Sequence, residues 1–225
     1  MVKINKKSKY LAIIILIGGK SSRFGSDKGL FEFLGKPLIS YQLETLSQGN
    51  FDIFLVANSK SQVQDYIKEI NLKEIMAFII DEDKINLGKN FQNPIKGLYS
   101  AFKELRDLNY KKVLALPCDT PFIQYNVVKY IIEQSKGFDC CIPIWNNKLM
   151  EPLLAIYPVN KAFQKSRENL KNRDLKLTNL LDKNWKINYL SIENSIKPLD
   201  EKLISFININ KPEDIEKLME SYIRK

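Results

Sequence analysis

A glycine-rich, basic stretch, LIGGKSSRFGSDKG, follows an apolar run near the amino terminus, and its residue types suit phosphate binding. Gly18 and Gly19 let the backbone approach a ligand closely, and Arg23 and Lys28 supply positive charge. A triphosphate needs both backbone N–H donors and cations, because its charge must be neutralised and its geometry fixed together. The stretch contains neither G-x-G-x-x-G nor the Walker A pattern. It therefore predicts either another kind of phosphate-binding loop or an ordinary glycine turn leading into a helix with exposed charges.

A second chemical group is the carboxylate of Asp119, within the segment LPCDTPF at residues 116–122. A carboxylate directly after a strand, between two prolines that fix φ, is well placed to bind a hard divalent cation such as Mg²⁺. Phosphate oxygens would complete the shell of that metal. The same segment also fits a helix N-terminus, with Asp119 or Thr120 as the N-cap and Pro121 in the first helical position. The neighbouring glycine loop favours the metal interpretation.

Four further side chains offer polar groups that suit a nucleotide. Asn58 and Asp81 each follow a short apolar run, so one could donate to a base or ribose and the other accept from it. Each residue alone is also typical of a turn. Asn208 and Asn210 alternate with a period of two, so both point the same way. Helix capping explains one asparagine there more readily than both.

Charge and composition restrict the chemistry. The 225 residues include 35 Lys+Arg and 26 Asp+Glu, a formal net charge of +9, which favours anionic partners: a nucleotide, a phosphorylated metabolite, nucleic acid or a membrane surface. Surface lysines such as Lys111, Lys112 and Lys148 are expected to contribute solubility. The chain has no histidine, which excludes serine–histidine hydrolysis and histidine-ligated zinc. The chemistry that remains possible depends on carboxylates, lysine, arginine and hard cations.

The cysteines and the amino terminus indicate the compartment. Cys118, Cys140 and Cys141 make an odd count, and the adjacent pair has neither disulfide geometry nor zinc-site spacing. We expect buried thiols in a reducing cytoplasm. A lysine tail at residues 1–9 precedes an apolar run that is far too short to span a bilayer, so the run is predicted to be a buried strand.

Apolar runs alternate with segments of helical period, without repeats or long linkers, so we predict one domain over residues 1–225. The predicted strands are Leu11 to Ile17, Ile53 to Ala57, Met76 to Ile80, Val113 to Leu116, Asp139 to Pro143, Leu153 to Tyr157, Ile187 to Ile192 and Ile204 to Ile207. Three helices are predicted from apolar faces formed by Ile39, Leu43 and Leu46, by Val63, Ile67 and Ile70, and by Val127, Ile131 and Ile132. This pattern predicts an α/β fold with a mainly parallel sheet covered on both faces, whose ligand lies outside the carboxyl ends of the strands.

Taken together, these motifs resemble the molybdenum cofactor guanylyltransferase family, within the nucleotidyltransferases that have a Rossmann-like core. The family signature G-G-x-S-x-R-M-G-x-D-K is matched by Gly18, Gly19, Ser21, Arg23, Gly25, Asp27 and Lys28. The following G-K-P-L turn is matched by Gly35, Lys36 and Pro37, the C-D-x-P-[FY] motif by Cys118 to Phe122, the substrate-side x-P-L stretch by Glu151 to Leu153, and the N-x-N-x-P-E-[DE] motif by Asn208 to Asp214. The similarity covers nearly the whole chain in the expected order.

The resemblance implies a three-layer α/β/α fold and transfer of GMP from GTP to the terminal phosphate of molybdenum-loaded molybdopterin, giving the guanine dinucleotide and pyrophosphate. Leu16, Ile17 and Gly18 would line the nucleotide, with Asp81 also contacting it. Asp119 would bind Mg²⁺, with Asn210 or Asn208 completing the metal shell. Arg23 and Lys28 would stabilise the pyrophosphate leaving group. A phosphate nucleophile is already ionised near neutral pH, so no general base is needed.

The sequence departs from the family pattern at three positions, of which Phe24 is a conservative change and the lost glycine of the G-P-L-x-G segment concerns base selectivity. Phe24 stands where methionine is usual, Asn93 replaces the first glycine of the G-P-L-x-G segment, and Val56 stands where some members have asparagine, so that Asn58 is a possible substitute.

Cytidylyl transfer to the same pterin, or nucleotidyl transfer to another phosphorylated metabolite, is the main alternative function. A nucleic-acid-binding protein is a further alternative, although no stacking pattern or nucleic-acid motif is present. A catalytically silent GTP-binding partner of molybdoenzyme maturation is another. We expect a monomer that does not bind membranes and whose partner is a molybdoenzyme chaperone or a molybdenum insertion protein.

Overall fold

The architecture is a seven-stranded sheet with helices on both faces. A computed structural model describes residues 9–18, 27–81, 93–210 and 214. The strands are β1 Lys9–Leu16, β2 Glu32–Phe33, β3 Lys36–Pro37, β4 Asp52–Ala57, β5 Ile75–Ile80, β6 Tyr110–Pro117, β7 Cys140–Ile144, β8 Ala155–Pro158 and β9 Ile187–Ser191. The α-helices are α1 Leu38–Leu46, α2 Lys60–Glu69, α3 Pro94–Asp107, α4 Tyr125–Gln134 and α5 Val159–Lys171. The large sheet has the order β5-β4-β1-β6-β8-β7-β9, and β2 and β3 form a separate hairpin.

The central strand β1 shows why the sheet is mainly parallel. It pairs in parallel with β4 on one side and with β6 on the other, so that Ile15 lies opposite Leu55 and Leu116. Residues 12–16 of β1 are all buried, because helices cover both faces of the sheet. Of the seven strands, β8 alone runs opposite to its neighbours β6 and β7. The prediction of a mainly parallel mixed sheet in a three-layer α/β/α fold is therefore confirmed.

Two cores lie on opposite faces of the sheet. Alternate side chains of β1 enter each core: Ile14 faces the core built from α3 and α5, and Ile13 faces the core built from α1, α2 and α4. Seven predicted strands and all three predicted helices are present, with ends that differ by a few residues. The structure adds α3 and α5, which the apolar periodicity did not identify.

The predicted strand from Ile204 to Ile207 is wrong. Residues Ile204–Phe206 form a 3-10 turn instead. The Asp200 side chain accepts hydrogen bonds from the backbone N–H groups of Ile204 at 3.0 Å and Ser205 at 2.8 Å, which closes the chain into a turn. A carboxylate that satisfies these donors removes the need for a strand partner.

Two surface expectations also need correction. Lys112 is buried, and its Nζ donates to the backbone oxygens of Ser135 at 2.6 Å and Phe138 at 2.8 Å. It therefore anchors the chain that follows α4 and is not a surface lysine kept for solubility. On α2, Ile67 is 49% exposed, whereas the neighbouring Tyr66 is fully buried. Val63 and Ile70 pack in the core as predicted, and Tyr66 takes the buried position that was predicted for Ile67.

Candidate functional site

The carboxyl ends of four parallel strands bring the predicted ligand-binding positions to one edge of the sheet. Parallel register places Leu16 of β1 opposite Val56 of β4 and Pro117 of β6. The backbone pairing continues past the strand ends, since the N–H groups of Ile17 and Gly18 both donate to the Val56 oxygen. Ligands of open parallel sheets bind outside this edge.

Asp119, Lys28 and Asn210 form the polar centre of this edge. Lys28 Nζ lies 3.3 Å from Asp119 Oδ2 and 3.2 Å from Asn210 Oδ1. Lys28 and Asp119 are separated by 91 residues, and Lys28 and Asn210 by 182. The side chains of Lys28 and Asp119 are only 16% and 26% exposed, so solvent screens their interaction weakly. The structure thus joins one residue from each of three predicted motifs.

The carboxy-terminal asparagines are held beside Asp119 by backbone contacts. The N–H of Ile209 donates to the backbone oxygen of Asp119 at 2.8 Å, and the Ile209 side chain is fully buried. Asn208 and Asn210 flank this buried residue and are both exposed, as their alternation predicts. The Asn210 N–H donates to Asp214 Oδ2 at 2.8 Å. This segment consequently presents two amide side chains next to the carboxylate.

The helix-cap interpretation of the Asp119 segment is wrong. Helix α4 begins at Tyr125, and its N-cap is Gln124. Asp119 and Thr120 lie in a turn before it, where the Thr120 oxygen accepts from the Ile123 N–H. The Asp119 carboxylate faces Lys28 and not a helix N-terminus.

A hydrogen-bond network that the sequence analysis missed holds the start of this site. Gln62, in the first turn of α2, donates through Nε2 to the Ile17 oxygen at 2.8 Å and also to Asp27 Oδ2. Its Oε1 accepts from the Asn58 N–H at 2.8 Å. Tyr66 donates to Asp27 Oδ1 at 2.7 Å. Gln62 therefore connects the ends of β1 and β4 to the residue that precedes Lys28.

One local signal pointed to Gln62. Ser59 and Gln62 form an S-x-x-Q pattern, in which Ser59 caps α2 by accepting from the Gln62 N–H at 3.2 Å. In the usual capping box the glutamine side chain returns to the N-cap N–H. Here it reaches the preceding residue, Asn58, and then spans to β1. The pattern predicts a cap, but not the contacts to Ile17 and Asp27.

Close packing shapes the predicted nucleotide side. A Cβ placed on Gly18 would lie 2.3 Å from Asn58 Oδ1, so glycine is needed for Asn58 to lie there. A Cβ on Gly97 of α3 would lie 2.8 Å from Leu16 Cδ2 and 3.5 Å from Asp81 Oδ1. Asn58 and Asp81 therefore lie beside the end of β1, as their positions after strands predict.

A cleft of about 200 Å³ opens on the other side of Asp119. Its lining includes Pro117, Asp119, Thr120, Glu151, Pro152, Leu153, Leu154, Leu177, Ser205, Phe206 and Asn208. Trp145 Nε1 donates to Glu151 Oε1 at 2.6 Å. Burial raises the pKa of Glu151; the Trp145 hydrogen bond opposes this effect and the negative charge of Asp119 adds to it. The cleft combines apolar walls with two carboxylates.

Some predicted positions lie outside the described residues. These are most of the lysine tail, residues 211–213 of the carboxy-terminal motif, and residues 19–26 of the glycine-rich stretch, which include Gly19, Ser21, Arg23 and Gly25. The predicted thiols are described: Cys140 and Cys141 are buried and Cys118 is partly exposed, and none of the three forms a disulfide with another described residue.

A sheet of this topology with a lysine–carboxylate centre at its carboxyl edge defines a nucleotidyltransferase-like α/β protein. The structure is similar to molybdopterin-guanine dinucleotide biosynthesis protein A from Archaeoglobus fulgidus, with a TM-score of 0.73, 25% identity and coverage of 95% of this chain and 100% of that one. The chain belongs to the MobA-like NTP transferase domain family, whose model matches residues 13–184.

Relatives of nearly the same length support this assignment. The chain is 32% identical to a probable molybdenum cofactor guanylyltransferase of Pyrococcus horikoshii, over 91% of this chain and 97% of the relative. It is 31% identical to a protein of the same description from Natranaerobius thermophilus, over 92% and 93% of the two chains. Nucleotidyl transfer is thus the reaction class of the family, as the motifs predicted.

The donor set at Asp119 fits Mg²⁺. The Lys28 ammonium is held between a carboxylate oxygen and an amide oxygen, which marks a position where two hard oxygen donors attract positive charge. Magnesium in nucleotide sites commonly takes one or two carboxylates and completes its shell with phosphate and water. Among residues 9–18, 27–81, 93–210 and 214, no group of three or more acidic or cysteine side chains is placed to hold a metal ion.

Within the same described residues, no helix is long and apolar enough to cross a membrane.

Proposed function

We propose that this protein transfers GMP from GTP to the terminal phosphate of molybdenum-loaded molybdopterin, forming molybdopterin guanine dinucleotide and pyrophosphate. The observation that carries the proposal is the convergence of Lys28, Asp119 and Asn210 at the carboxyl edge of the sheet. Relatives described as probable molybdenum cofactor guanylyltransferases cover almost the whole chain, which supports the choice of substrates.

The chain's own residues act by positioning and by charge. Gly18 and Asn58 bind the nucleoside part of GTP on the β4 side, with Asp81 beside them. Lys28 contacts the phosphates and neutralises charge that develops on pyrophosphate, and Arg23 shares this role. Asp119, with Asn210 or Asn208, would hold Mg²⁺, which would supply positive charge to the reacting phosphates. The acceptor is a phosphate that is already ionised, so the reaction needs no general base. The absence of histidine is therefore compatible with this mechanism.

Two sides of Asp119 correspond to two substrates. The Gly18, Asn58 and Asp81 positions lie at the ends of β1, β4 and β5, on one side of β6. The cleft with Glu151 and Pro152 lies on the side of β7 and β8. Asp119 therefore lies between the proposed nucleotide side and the proposed acceptor side. This arrangement suits in-line attack of one phosphate on another.

Product identity tests the proposal. The full-length protein is incubated with molybdenum-loaded molybdopterin, Mg²⁺ and GTP, CTP or ATP in separate reactions, and the dinucleotide formed is identified by mass. We expect guanine dinucleotide and pyrophosphate with GTP. Preferential use of CTP would replace this function by cytidylyl transfer, the alternative raised by Asn93 in place of glycine. No dinucleotide with any triphosphate would refute the proposal.

The cellular setting belongs to the same proposal. We place the protein in the cytoplasm as a monomer that passes its product to a molybdoenzyme chaperone or a molybdenum insertion protein. Size-exclusion chromatography with light scattering measures the oligomeric state, and a mass of 26.2 kDa is expected for the monomer.

A further inference from the structure

Glu151 is held in place with one carboxylate oxygen engaged. Trp145 Nε1 donates to Oε1 at 2.6 Å, and the Trp145 ring meets the Phe206 ring edge-on, with centroids 5.5 Å apart. The backbone of Glu151 is also fixed, because its N–H donates to the Pro143 oxygen and its oxygen accepts from the Leu154 N–H, both at 3.0 Å. The carboxylate therefore has a defined position at the cleft.

The partial burial of this carboxylate costs free energy that a ligand with N–H donors would offset. Glu151 is half-buried at a cleft whose lining includes Pro152, Leu153, Leu177 and Phe206. Within the described part of the chain, no lysine or arginine forms an ion pair with Glu151. A partly desolvated carboxylate with a single neutral donor favours a ligand that brings N–H donors.

The residues that line the cleft favour a heteroaromatic ring. Apolar walls suit the faces of a ring, and a fixed carboxylate suits a ring edge that presents two adjacent N–H donors, as an amidine-like edge does. A 2-amino-4-oxopyrimidine ring has such an edge, formed by its ring N–H and its exocyclic amino group. A pterin and a guanine both carry it, so the position of Glu151 decides between them. Glu151 lies on the β7 and β8 side of Asp119, away from Asn58 and Asp81.

We infer that Glu151 is a specificity-determining residue that binds the 2-amino-4-oxopyrimidine edge of the pterin acceptor, held in position by Trp145. This inference rests on the proposed function, because that function makes a pterin the acceptor. Glu151 accepts from the ring N–H and from the exocyclic amino group, while the apolar lining covers the ring. The terminal phosphate of the same acceptor then extends toward Asp119, which lines the same cleft.

Two matched probes test the contact without turnover. Pterin carries the amino group, and lumazine carries an oxygen in its place, which would face the carboxylate. Their dissociation constants are measured by fluorescence titration against the wild-type protein, with GTP and Mg²⁺ present. We expect wild type to bind pterin at least about tenfold more tightly than lumazine, the discrimination typical of hydrogen bonds to a charged group.

The variant Glu151→Gln keeps an oxygen for Trp145 but replaces the acceptor that faces the cleft by an NH₂ donor. It should lose the preference for pterin, with an unchanged thermal midpoint. Glu133→Gln, an exposed glutamate on α4, is the matched control and should keep the preference. The KM for the pterin acceptor should rise at least about tenfold in Glu151→Gln. The KM for GTP and the Mg²⁺ dependence should stay unchanged.

Other outcomes overturn the inference. Equal affinity for pterin and lumazine, no binding of pterin, or a preference that persists in Glu151→Gln would exclude this contact. A raised KM for GTP in the variant would assign Glu151 to the guanine, and a changed Mg²⁺ dependence would assign it to the metal. If no dinucleotide forms in the product assay, the proposed function fails. If the dinucleotide forms but the pterin preference is absent, only the role of Glu151 fails.

Discussion

Replacing Gln62 by alanine should destabilise the protein and weaken GTP binding together. Gln62 makes three side-chain contacts: to the Ile17 oxygen, to the Asn58 N–H and to the Asp27 carboxylate. A neutral hydrogen bond contributes about 1 kcal/mol net and one to a charged group about 2 kcal/mol. Because Gln62 is half-buried, water replaces part of this loss. We expect the free energy of unfolding to fall by about 2–3 kcal/mol.

The measurement is urea unfolding, read as a lower midpoint at an unchanged slope. The matched control is Gln64→Ala, an exposed position on the same helix where alanine also replaces glutamine. Both changes raise helix propensity equally, so their difference isolates the contacts of Gln62. The KM for GTP should rise more than kcat falls, because Gln62 positions the ends of β1 and β4. A Gln62→Ala protein within about 0.5 kcal/mol of the control, with the same KM, would refute the reasoning.

Three further predictions concern stability and thiol reactivity. Lys112→Met should cost about 1–3 kcal/mol of unfolding free energy, because one buried and one partly buried carbonyl lose their donor. Lys111→Met, at an exposed neighbour, should cost little, and equal losses in urea unfolding would contradict the role of Lys112. Burial raises the pKa of Cys141 to about 12, so iodoacetamide at pH 8 should label it only as fast as the protein unfolds, and rapid labelling of the native protein would be inconsistent with this burial. The Lys161 hydrogen bond holds the pKa of Asp139 below its usual value. Asp139→Asn should therefore be less stable than wild type at pH 7, and the difference should vanish as the pH falls through the folded-state pKa; a difference that grows in acid would reverse the sign of this argument.

The sequence predicted the sheet well because its strands are buried on both faces. Ile13, Ile14 and Ile15 form a continuous apolar run, and such runs are recognisable without knowledge of their partners. The segment from Ile204 to Ile207 has a similar apolar pattern but forms a turn. The side chain of Asp200 accepts hydrogen bonds there, and an apolar pattern gives no indication of such bonds. Local hydrogen bonds from two backbone N–H groups to the Asp200 carboxylate outweighed the apolar pattern there.

The site was predictable as far as it depends on strand ends. Asp119 and Asn58 follow strands that the parallel sheet brings to one edge, so their proximity followed from topology. The contacts of Gln62 and Trp145 did not follow, because they depend on side chains that reach across the fold. Gln62 meets Ile17 over a separation of 45 residues, and the local S-x-x-Q pattern predicts only its part in the helix cap.

Pyrophosphate release tests the proposed role of Asp119 in holding the metal for Mg²⁺-dependent nucleotidyl transfer. Release is measured with GTP and molybdenum-loaded molybdopterin across a Mg²⁺ titration for wild type, Asp119→Asn and Asp65→Asn, the last a matched change on the exposed face of α2. We predict release that requires Mg²⁺ in wild type and Asp65→Asn, and loss of release in Asp119→Asn with an unchanged thermal midpoint. Near-wild-type release by Asp119→Asn, or release that persists without Mg²⁺, would contradict the account.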